Sequence, residues 1–176
     1  MKKILIFLFM LLLITGCAKD KNIPREEVQK LFLNYNSLTS DLLIQLDKVI
    51  DGESLNETQK TKYKDVLKRQ YEDLKYKIKD EVISDDKAIV SVEIEVYDLL
   101  KVIKDSDDYL EHNKEEFYEN NEFSNEKFWD YKLDKMSTTN DRITHTLDLS
   151  LTKIDNRWVL DELLETDRQK IHGLYK

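Results

Sequence analysis

The first helical pattern starts after Pro24, where apolar residues return every three or four positions, as they do on one buried face of a helix. These positions are Val28, Leu31, Tyr35, Leu38, Leu42, Leu46 and Val49. Gly52 is expected to end the pattern as a helix C-cap. Residues 34–40 contain few helix formers, so we expect a bend there. A capping-box pattern at residues 54–57 predicts a second helix. Its buried face would carry Tyr63, Leu67, Tyr71 and Leu74.

The spacing then changes to two, which is typical of strands with one buried face. Residues 76–83 and 88–96 predict two strands, and the polar residues 84–87 between them predict a turn. This part of the chain is therefore expected to form an antiparallel hairpin.

A second hairpin is predicted near the C-terminus, where residues 142–153 alternate in the same way. Asp155-Asn156 is a plausible two-residue turn into a partner strand that starts near Trp158. With that turn, the opposed leucines would be Leu151 with Leu160 and Leu147 with Leu164.

Helical spacing occupies residues 98–120, between the two hairpins, and a further helix is expected after Ser124. Phe123 and Phe128 would pack across the start of that helix as a hydrophobic staple. A short last helix is expected to end at Gly173. The order predicts an α+β domain: N-terminal helices packed on an antiparallel sheet, with a helical insert at 98–136 between two β-hairpins.

The N-terminus has the pattern of a secretion signal. Lys2 and Lys3 precede eleven apolar residues, 4–14, which suits the core of a signal peptide and is too short to span a bilayer. The next residues complete Ile14-Thr15-Gly16-Cys17, which resembles the lipobox of bacterial lipoproteins. The resemblance implies cleavage between Gly16 and Cys17 and a lipid anchor, with acyl chains such as palmitate, on the Cys17 thiol.

Three parts of the chain follow from that resemblance: a signal peptide at 1–16, a lipidated tether at 17–23 and a single domain at 24–176. The anchor would hold the domain at the extracytoplasmic face of a membrane. The chain has 23 Lys and only 5 Arg, which favours an AT-rich, Gram-positive source.

Four phrases of the domain resemble the NTF2-like (cystatin-like) fold of small Gram-positive lipoproteins. They are YKIKD (76–80), DKAIVSVEI (86–94), LSLTKIDNRWVL (149–160) and KIHG (170–173). The resemblance implies a curved antiparallel sheet that wraps a long helix into a cone, often with a cavity at its open end. The insert at 98–136 departs from the simplest form of that fold and could fill or cover the cavity.

Composition excludes several classes of function. The net charge of −8 repels phosphate backbones, so nucleic acid is not an expected partner. Cys17 is the only cysteine, which leaves no thiol for a disulfide or a catalytic nucleophile once it is lipidated. The three histidines show no metal-ligand spacing, and the few glycines form no phosphate loop. We therefore expect no metal and no cofactor.

Charge is also segregated along the chain. Residues 60–79 carry eight basic residues against three acids, whereas residues 105–126 carry nine acids against one lysine. The basic segment could bind an anionic envelope polymer, but packing against the acidic insert explains the pattern as well.

His145 and Glu162 are the candidate cavity residues, because both fall on faces that otherwise consist of core positions. In NTF2-like enzymes such groups can act as general bases. We favour a structural role for both, with His145 near solvent at a strand end and Glu162 at the sheet rim or paired with a lysine. The leading expectation is a non-catalytic binding module whose partner is an envelope protein or a small ligand. The alternative is an acid–base enzyme that uses the cavity. Expected exposed positions on the open sheet face are Glu93, Glu95, Tyr97, Ser150 and Val159.

Overall fold

The computed structural model describes residues 23–176. The predicted signal peptide, and all of the predicted tether except Ile23, lie outside the described residues. In chain order the elements are α1 (Pro24–Asn36), α2 (Ser40–Asp51), α3 (Glu57–Glu72), β1 (Lys75–Ser84), β2 (Lys87–Tyr97), α4 (Leu99–His112), a 3-10 helix (Lys114–Phe117), β3 (Tyr118–Glu119), β4 (Glu122–Phe123), α5 (Asn125–Thr138), β5 (Arg142–Ile154), β6 (Arg157–Leu160) and α6 (Glu165–His172).

The predicted α+β class and the two hairpins are confirmed. The main sheet is antiparallel with the order β1-β2-β5-β6, and the central pair β2–β5 is the longest. The turn residues Asp155 and Asn156 have φ values of 49° and 63°, as a tight hairpin turn requires. Leu151 lies opposite Leu160, as predicted.

The predicted pairing of Leu147 with Leu164 is wrong. Strand β6 ends at Leu160, and Leu164 lies just before α6 with 65% of its surface exposed. The backbone N–H of Asp161 donates to the carbonyl of Ser150 at 2.9 Å, after which the chain turns away from β5.

The predicted bend in the first helix is a full break between α1 and α2. Leu38 adopts φ 48°, a left-handed conformation that ends a helix. The Ser37 hydroxyl donates to the carbonyl of Leu33 at 2.7 Å, which satisfies one of the last free carbonyls of α1. Helix α2 can therefore run in a direction of its own.

Helix α3 starts two residues later than predicted. Its N-cap is Asn56, whose side-chain oxygen accepts from the N–H of Gln59 at 2.9 Å, while the Gln59 side chain accepts from the N–H of Asn56 at 3.2 Å. The box is therefore Asn-x-x-Gln rather than Ser-x-x-Glu. Both patterns overlap in the sequence, and tertiary packing favours the one that buries Gln59 against α5.

The insert is less helical than predicted. Helix α4 ends at His112, and Phe117 becomes buried through the 3-10 helix rather than on a continuous helical face. A small hairpin follows, whose turn residues Asn120 and Asn121 have φ 52° and 67°. The predicted staple is confirmed, with the rings of Phe123 and Phe128 6.4 Å apart. The aromatic rings of the insert pack mainly on one another, as in the 5.3 Å edge contact of Phe117 and Phe128.

The core lies between the helices and the inner face of the sheet. Alternate residues of β2 and β5 are buried there: Val90, Val92, Ile94, Val96, Leu147, Leu149 and Leu151. Helix α1 crosses this face with Val28 and Phe32 fully buried, and the ring of Phe32 stacks on Tyr76 of β1 at 4.7 Å. No helix within residues 23–176 is both long and apolar enough to cross a bilayer.

Tyr97 is not the exposed residue that the alternation predicts, since only 6% of its surface is accessible. The guanidinium groups of Arg69 and Arg142 lie 4.0 Å and 4.2 Å from its ring centroid. Its hydroxyl donates to Asp73 at 2.6 Å. The ring is therefore covered by two cations on the outer side of the sheet.

The basic segment at 60–79 is largely paired within the fold. Lys62 bridges to Asp134 of α5 and Lys64 to Asp47 of α2. On the sheet, Lys79 meets Glu93 at 2.8 Å. These three acids lie outside residues 105–126, so the basic segment is paired with acids other than those of the acidic segment that the sequence pattern suggested.

Candidate functional site

His145 lies on the inner face of β5, opposite Ile94 of β2, and its ring touches Tyr175 edge-on with 5.7 Å between centroids. Its Nε2 atom is buried and has no hydrogen-bond partner within the described part of the chain. Burial, followed by the positive charge of Lys170, lowers the pKa of His145. The imidazole is therefore neutral at pH 7.

Glu162 lies elsewhere, on the surface, with 86% of its side chain exposed and its carboxylate 3.4 Å from Arg168. Glu162 follows the end of β6 by two residues. The last residue of β6, Leu160, pairs with Leu151, which is six residues along β5 from His145, so the strand length separates the two side chains. The structure does not bring His145 and Glu162 together. It gives them no shared geometry for acid–base chemistry.

An apolar pocket lies between the helices, under α2. It has a volume of about 150 Å³, and its walls come from α1, α2, α3, α6 and the C-terminal segment. The apolar part of the wall is formed by Leu42, Leu46, Val49, Leu67 and Leu174. The polar groups that reach it are Tyr35, Gln45, Tyr63, Tyr71, Arg168 and His172. An apolar pocket with a few convergent polar groups is the usual form of a small-molecule site.

Two larger concavities are open grooves with more polar walls. One, of about 420 Å³, lies beside the start of α3 and α5, and the other, of about 330 Å³, lies between α4 and α5. In the first, the Gln59 amide already donates to the carbonyl of Glu126 at 3.0 Å and to Asp130 at 2.9 Å. In the second, Asp105 and Asp141 both pair with Lys101. These polar groups of the two grooves are thus used within the protein, and the apolar pocket is the stronger candidate.

A hydrogen bond between Tyr71 and His172 forms the polar end of the pocket. The Tyr71 hydroxyl and His172 Nδ1 are 2.7 Å apart, and the bond holds one proton, carried by the phenol or by Nδ1 according to the tautomer. Burial, with the nearby Tyr35 and Tyr63, raises the pKa of Tyr71 far above its ordinary value. Burial lowers the pKa of His172. Both groups are therefore neutral at pH 7, and the pair carries no net charge.

The floor of the pocket is held rigidly by hydrogen bonds that cross the fold. The Gln70 side chain, next to Tyr71, accepts from the N–H of Tyr97 at 2.9 Å and donates to the carbonyl of Ile171 at 3.4 Å. Gln70 is fully buried and so ties α3 to β2 and α6. The side-chain amide of Asn36 donates to the carbonyl of Tyr71 at 2.8 Å, which adds the end of α1.

The roof is helix α2, which is attached less firmly. Only Leu46 and Ile50 of its twelve residues are buried, and the exposed apolar residues Ile44 and Val49 leave it with little core of its own. The helix begins after the left-handed residue Leu38. Elements with few buried apolar contacts open at lower free energy than the core, so α2 is the part through which a ligand would enter.

Arg168 lies at the mouth of the pocket and is already paired. Its guanidinium is 3.1 Å from a carboxylate oxygen of Glu165 and 3.4 Å from Glu162. These two exposed acids offset its charge, so the mouth offers no unpaired cation to an anionic ligand. The site is therefore suited to a neutral molecule rather than to an anion.

The chemistry of the pocket favours binding over catalysis. A buried tyrosine with a raised pKa does not ionise at pH 7 and is a poor nucleophile. Within residues 23–176, no group of three His, Cys, Asp or Glu side chains converges as a metal site requires. The pocket offers an apolar wall and a neutral hydrogen-bonding pair.

Sequence patterns predicted that some residues of this site are buried, but they did not predict the site itself. The expected buried face of the second helix contains Tyr63, Leu67 and Tyr71, and all three line the pocket. His172 carries no signal of its own, because it belongs to a short helix 101 positions from its partner.

Comparison with known protein families, with curated proteins and with solved structures finds no match to this chain. The geometry of the pocket is therefore the basis on which the candidate site is identified.

Proposed function

We propose that the protein is a lipid-anchored, extracytoplasmic binding module that takes a small neutral ligand and performs no chemistry on it. The observation that carries this proposal is the apolar pocket of about 150 Å³ that ends at the neutral Tyr71–His172 pair. Apolar cavities of about this size accept molecules such as benzene. A ligand with an apolar body and one hydroxyl or carbonyl group would satisfy both the wall and the pair.

The anchor part of the proposal depends on the sequence before the domain. Residues 14–17 resemble a lipobox, and Cys17 is the only cysteine. A diacylglyceryl group contributes two acyl chains, which suffice for stable membrane attachment, whereas one chain would be marginal. An envelope partner protein remains compatible with this placement, since a tethered domain can present both a pocket and a surface.

The finer fold assignment belongs to the same proposal. An antiparallel sheet in the order β1-β2-β5-β6, with α1 lying across its inner face, supports an NTF2-like cone. In this arrangement the insert of α4 and α5 packs beside α3, and the ligand pocket lies among the helices rather than in the mouth of the cone. The alternative of an acid–base enzyme receives no support from His145 and Glu162, which lie apart.

The pocket is tested with the full-length lipoprotein in detergent, using phenol and toluene as matched probes. Binding is measured by NMR, from the shift of the His172 ring protons. We expect both probes to bind, and Tyr71→Phe to weaken phenol by about tenfold, the value of one hydrogen bond, while toluene is unaffected. Tyr109→Phe is the control, because that hydroxyl is exposed and bonds to Glu116 in the insert. If neither probe moves the His172 signals, the ligand-binding proposal is wrong.

The anchor is tested separately in cells by Cys17→Ser. We expect this variant to accumulate as an uncleaved precursor that takes up no labelled palmitate. Normal lipid labelling of Cys17→Ser would contradict the anchor without affecting the pocket.

A further inference from the structure

Six of the eleven exposed large hydrophobic residues in the described part of the chain lie at one end of the domain, where the sheet hairpins turn. These six are Ile23, Val82, Ile83, Ile89, Ile154 and Val159. Exposed apolar residues scattered singly are normal, whereas several at one end and on one face are typical of a binding surface.

Four of the six share the outer face of the sheet, and we call Val82, Ile89, Ile154 and Val159 the outer patch. Val82 lies directly opposite Ile89 in the β1–β2 ladder. Val159 lies opposite Thr152 of β5, and Thr152 is two residues before Ile154. Val159 and Ile154 are therefore on the same face. Their exposed fractions run from 45% to 59%. The two hairpin turns are joined, because the N–H of Lys153 donates to the carbonyl of Asp86 at 2.8 Å.

The domain also begins at this end. The N–H of Arg25 donates to Glu81 at 3.1 Å, and Glu81 pairs with Val90, so the start of α1 meets this end of the sheet from its inner side, one residue from Val82. Pro24 is buried and fixes the start of α1 there. The seven residues from Cys17 to Ile23 can reach at most about 25 Å when fully extended. A lipid group on Cys17 would therefore lie within reach of the end of the sheet that carries the outer patch.

Charges near the patch determine how it could meet a bilayer. Lys87 and Arg157 lie on the outer face, opposite Thr152 and Ile154, where they suit anionic headgroups. One acid, Asp161, lies on the same face, and its carboxylate accepts from the Thr152 hydroxyl at 2.8 Å. The turn residues Asp85 and Asp155 lie at the extreme end, and burying their carboxylates in lipid would be costly. The sheet would therefore lie with its outer face against the headgroups rather than insert turn-first.

We propose that the outer patch docks the domain onto the lipid surface to which Cys17 is anchored. This inference rests on the proposed lipid anchor, and it is independent of the ligand pocket. The apolar side chains would enter the interface between headgroups and acyl chains, and the two basic residues would contact phosphate groups. Docking would give helix α2 and the pocket beneath it a defined orientation relative to the membrane.

The test uses single labels on the lipidated full-length protein in vesicles of phosphatidylglycerol and phosphatidylcholine. Cys17 is the only cysteine and its thiol would be blocked by lipid, so an introduced cysteine is the single free thiol. A polarity-sensitive fluorophore is placed by Val82→Cys or Ile154→Cys. Matched controls are Thr144→Cys, on the same face but eight residues back along β5 from Thr152, and Ile44→Cys, an exposed apolar position on α2.

We expect the labels at 82 and 154 to shift to the blue and to lose emission to a quencher carried on the lipid chains, while both controls stay unchanged. Equal quenching at all four positions, or at none, would overturn the docking proposal. A blue shift that grows with protein density but shows no lipid quenching would also overturn it, in favour of a second copy on the patch.

Palmitate labelling of the same samples separates the two proposals. Normal labelling with unquenched patch positions rejects the docking surface and leaves the anchor in place. Absent labelling of the unaltered Cys17 chain rejects the anchor and the docking surface together.

Discussion

The hydroxyl of Tyr71 lies 2.7 Å from Nδ1 of His172, although 101 positions separate the two residues in the chain. This single contact joins α3 to α6 and ends the apolar pocket with a neutral hydrogen-bonded pair. Both side chains are largely buried, so the hydrogen bond contributes to the stability of the fold as well as to the proposed binding.

Removal of this hydrogen bond should destabilise the fold. Tyr71→Phe leaves a buried imidazole nitrogen without its partner, and we expect a loss of about 1–3 kcal/mol in the free energy of unfolding. Urea denaturation followed by circular dichroism measures the change. Tyr109→Phe, whose hydroxyl bonds only to the exposed Glu116, should change stability by less than about 0.5 kcal/mol. Equal effects of the two variants would show that the buried pair adds nothing.

Stability should fall as the pH is lowered through the histidine range. Burial lowers the pKa of His172 below its ordinary value of 6.5, so the unfolded state binds the proton first as the pH falls. The stabilisation is complete above 6.5 and is lost below it, until the pH reaches the folded-state pKa. The slope for one such group is at most about 1.4 kcal/mol per pH unit.

Unfolding experiments between pH 5.5 and 7.5 would measure this slope, with His172→Gln as the comparison. We expect His172→Gln to reduce the slope, with a residual part from His145, whose pKa is also lowered. An unchanged slope in His172→Gln would mean that this histidine is not the group responsible.

Gly173 should tolerate no side chain. It adopts φ 70°, and a Cβ built on it would lie 2.1 Å from the carbonyl oxygen of Tyr97. Left-handed backbone alone costs an alanine about 1–2 kcal/mol, and the clash with backbone adds to this. We therefore expect Gly173→Ala to be strongly destabilised in thermal unfolding. Gly52→Ala is the control: its φ is −73° and the nearest contact is 3.3 Å, so a change below about 1 kcal/mol is expected.

Two substitutions at the second hairpin turn should change the free energy of unfolding in opposite directions. Asn156 has φ 63°, which glycine adopts freely and a β-branched residue does not. Asn156→Gly should raise the free energy of unfolding by up to about 1 kcal/mol, and Asn156→Val should lower it by about 1–2 kcal/mol. Thermal melts of the two variants would decide this, and a loss of stability in both would show that the Asn156 side chain itself stabilises the turn.

Most helices and strands could be predicted from local pattern. The period of apolar residues changes from about 3.6 to 2 at residue 76, close to the start of β1 at Lys75. The turn residues Asp155 and Asn156 and the staple of Phe123 and Phe128 act over a few positions, so their effect is visible in the sequence. The spacing predicts that the helix continues beyond Asn113, and this is wrong. Phe117 fits the helical period, but it is buried through a 3-10 helix instead.

The sequence by itself determined the α+β class, the order of the elements, the paired hairpins and the acidic charge. These follow from spacing and composition, which are local or additive properties of the chain. Only the tertiary structure decided that Tyr71 meets His172, that Glu162 lies away from His145 and that α1 starts at the end of the sheet that carries the outer patch. Each of these relationships joins residues far apart in the chain, and their distance depends on how whole helices pack on the sheet.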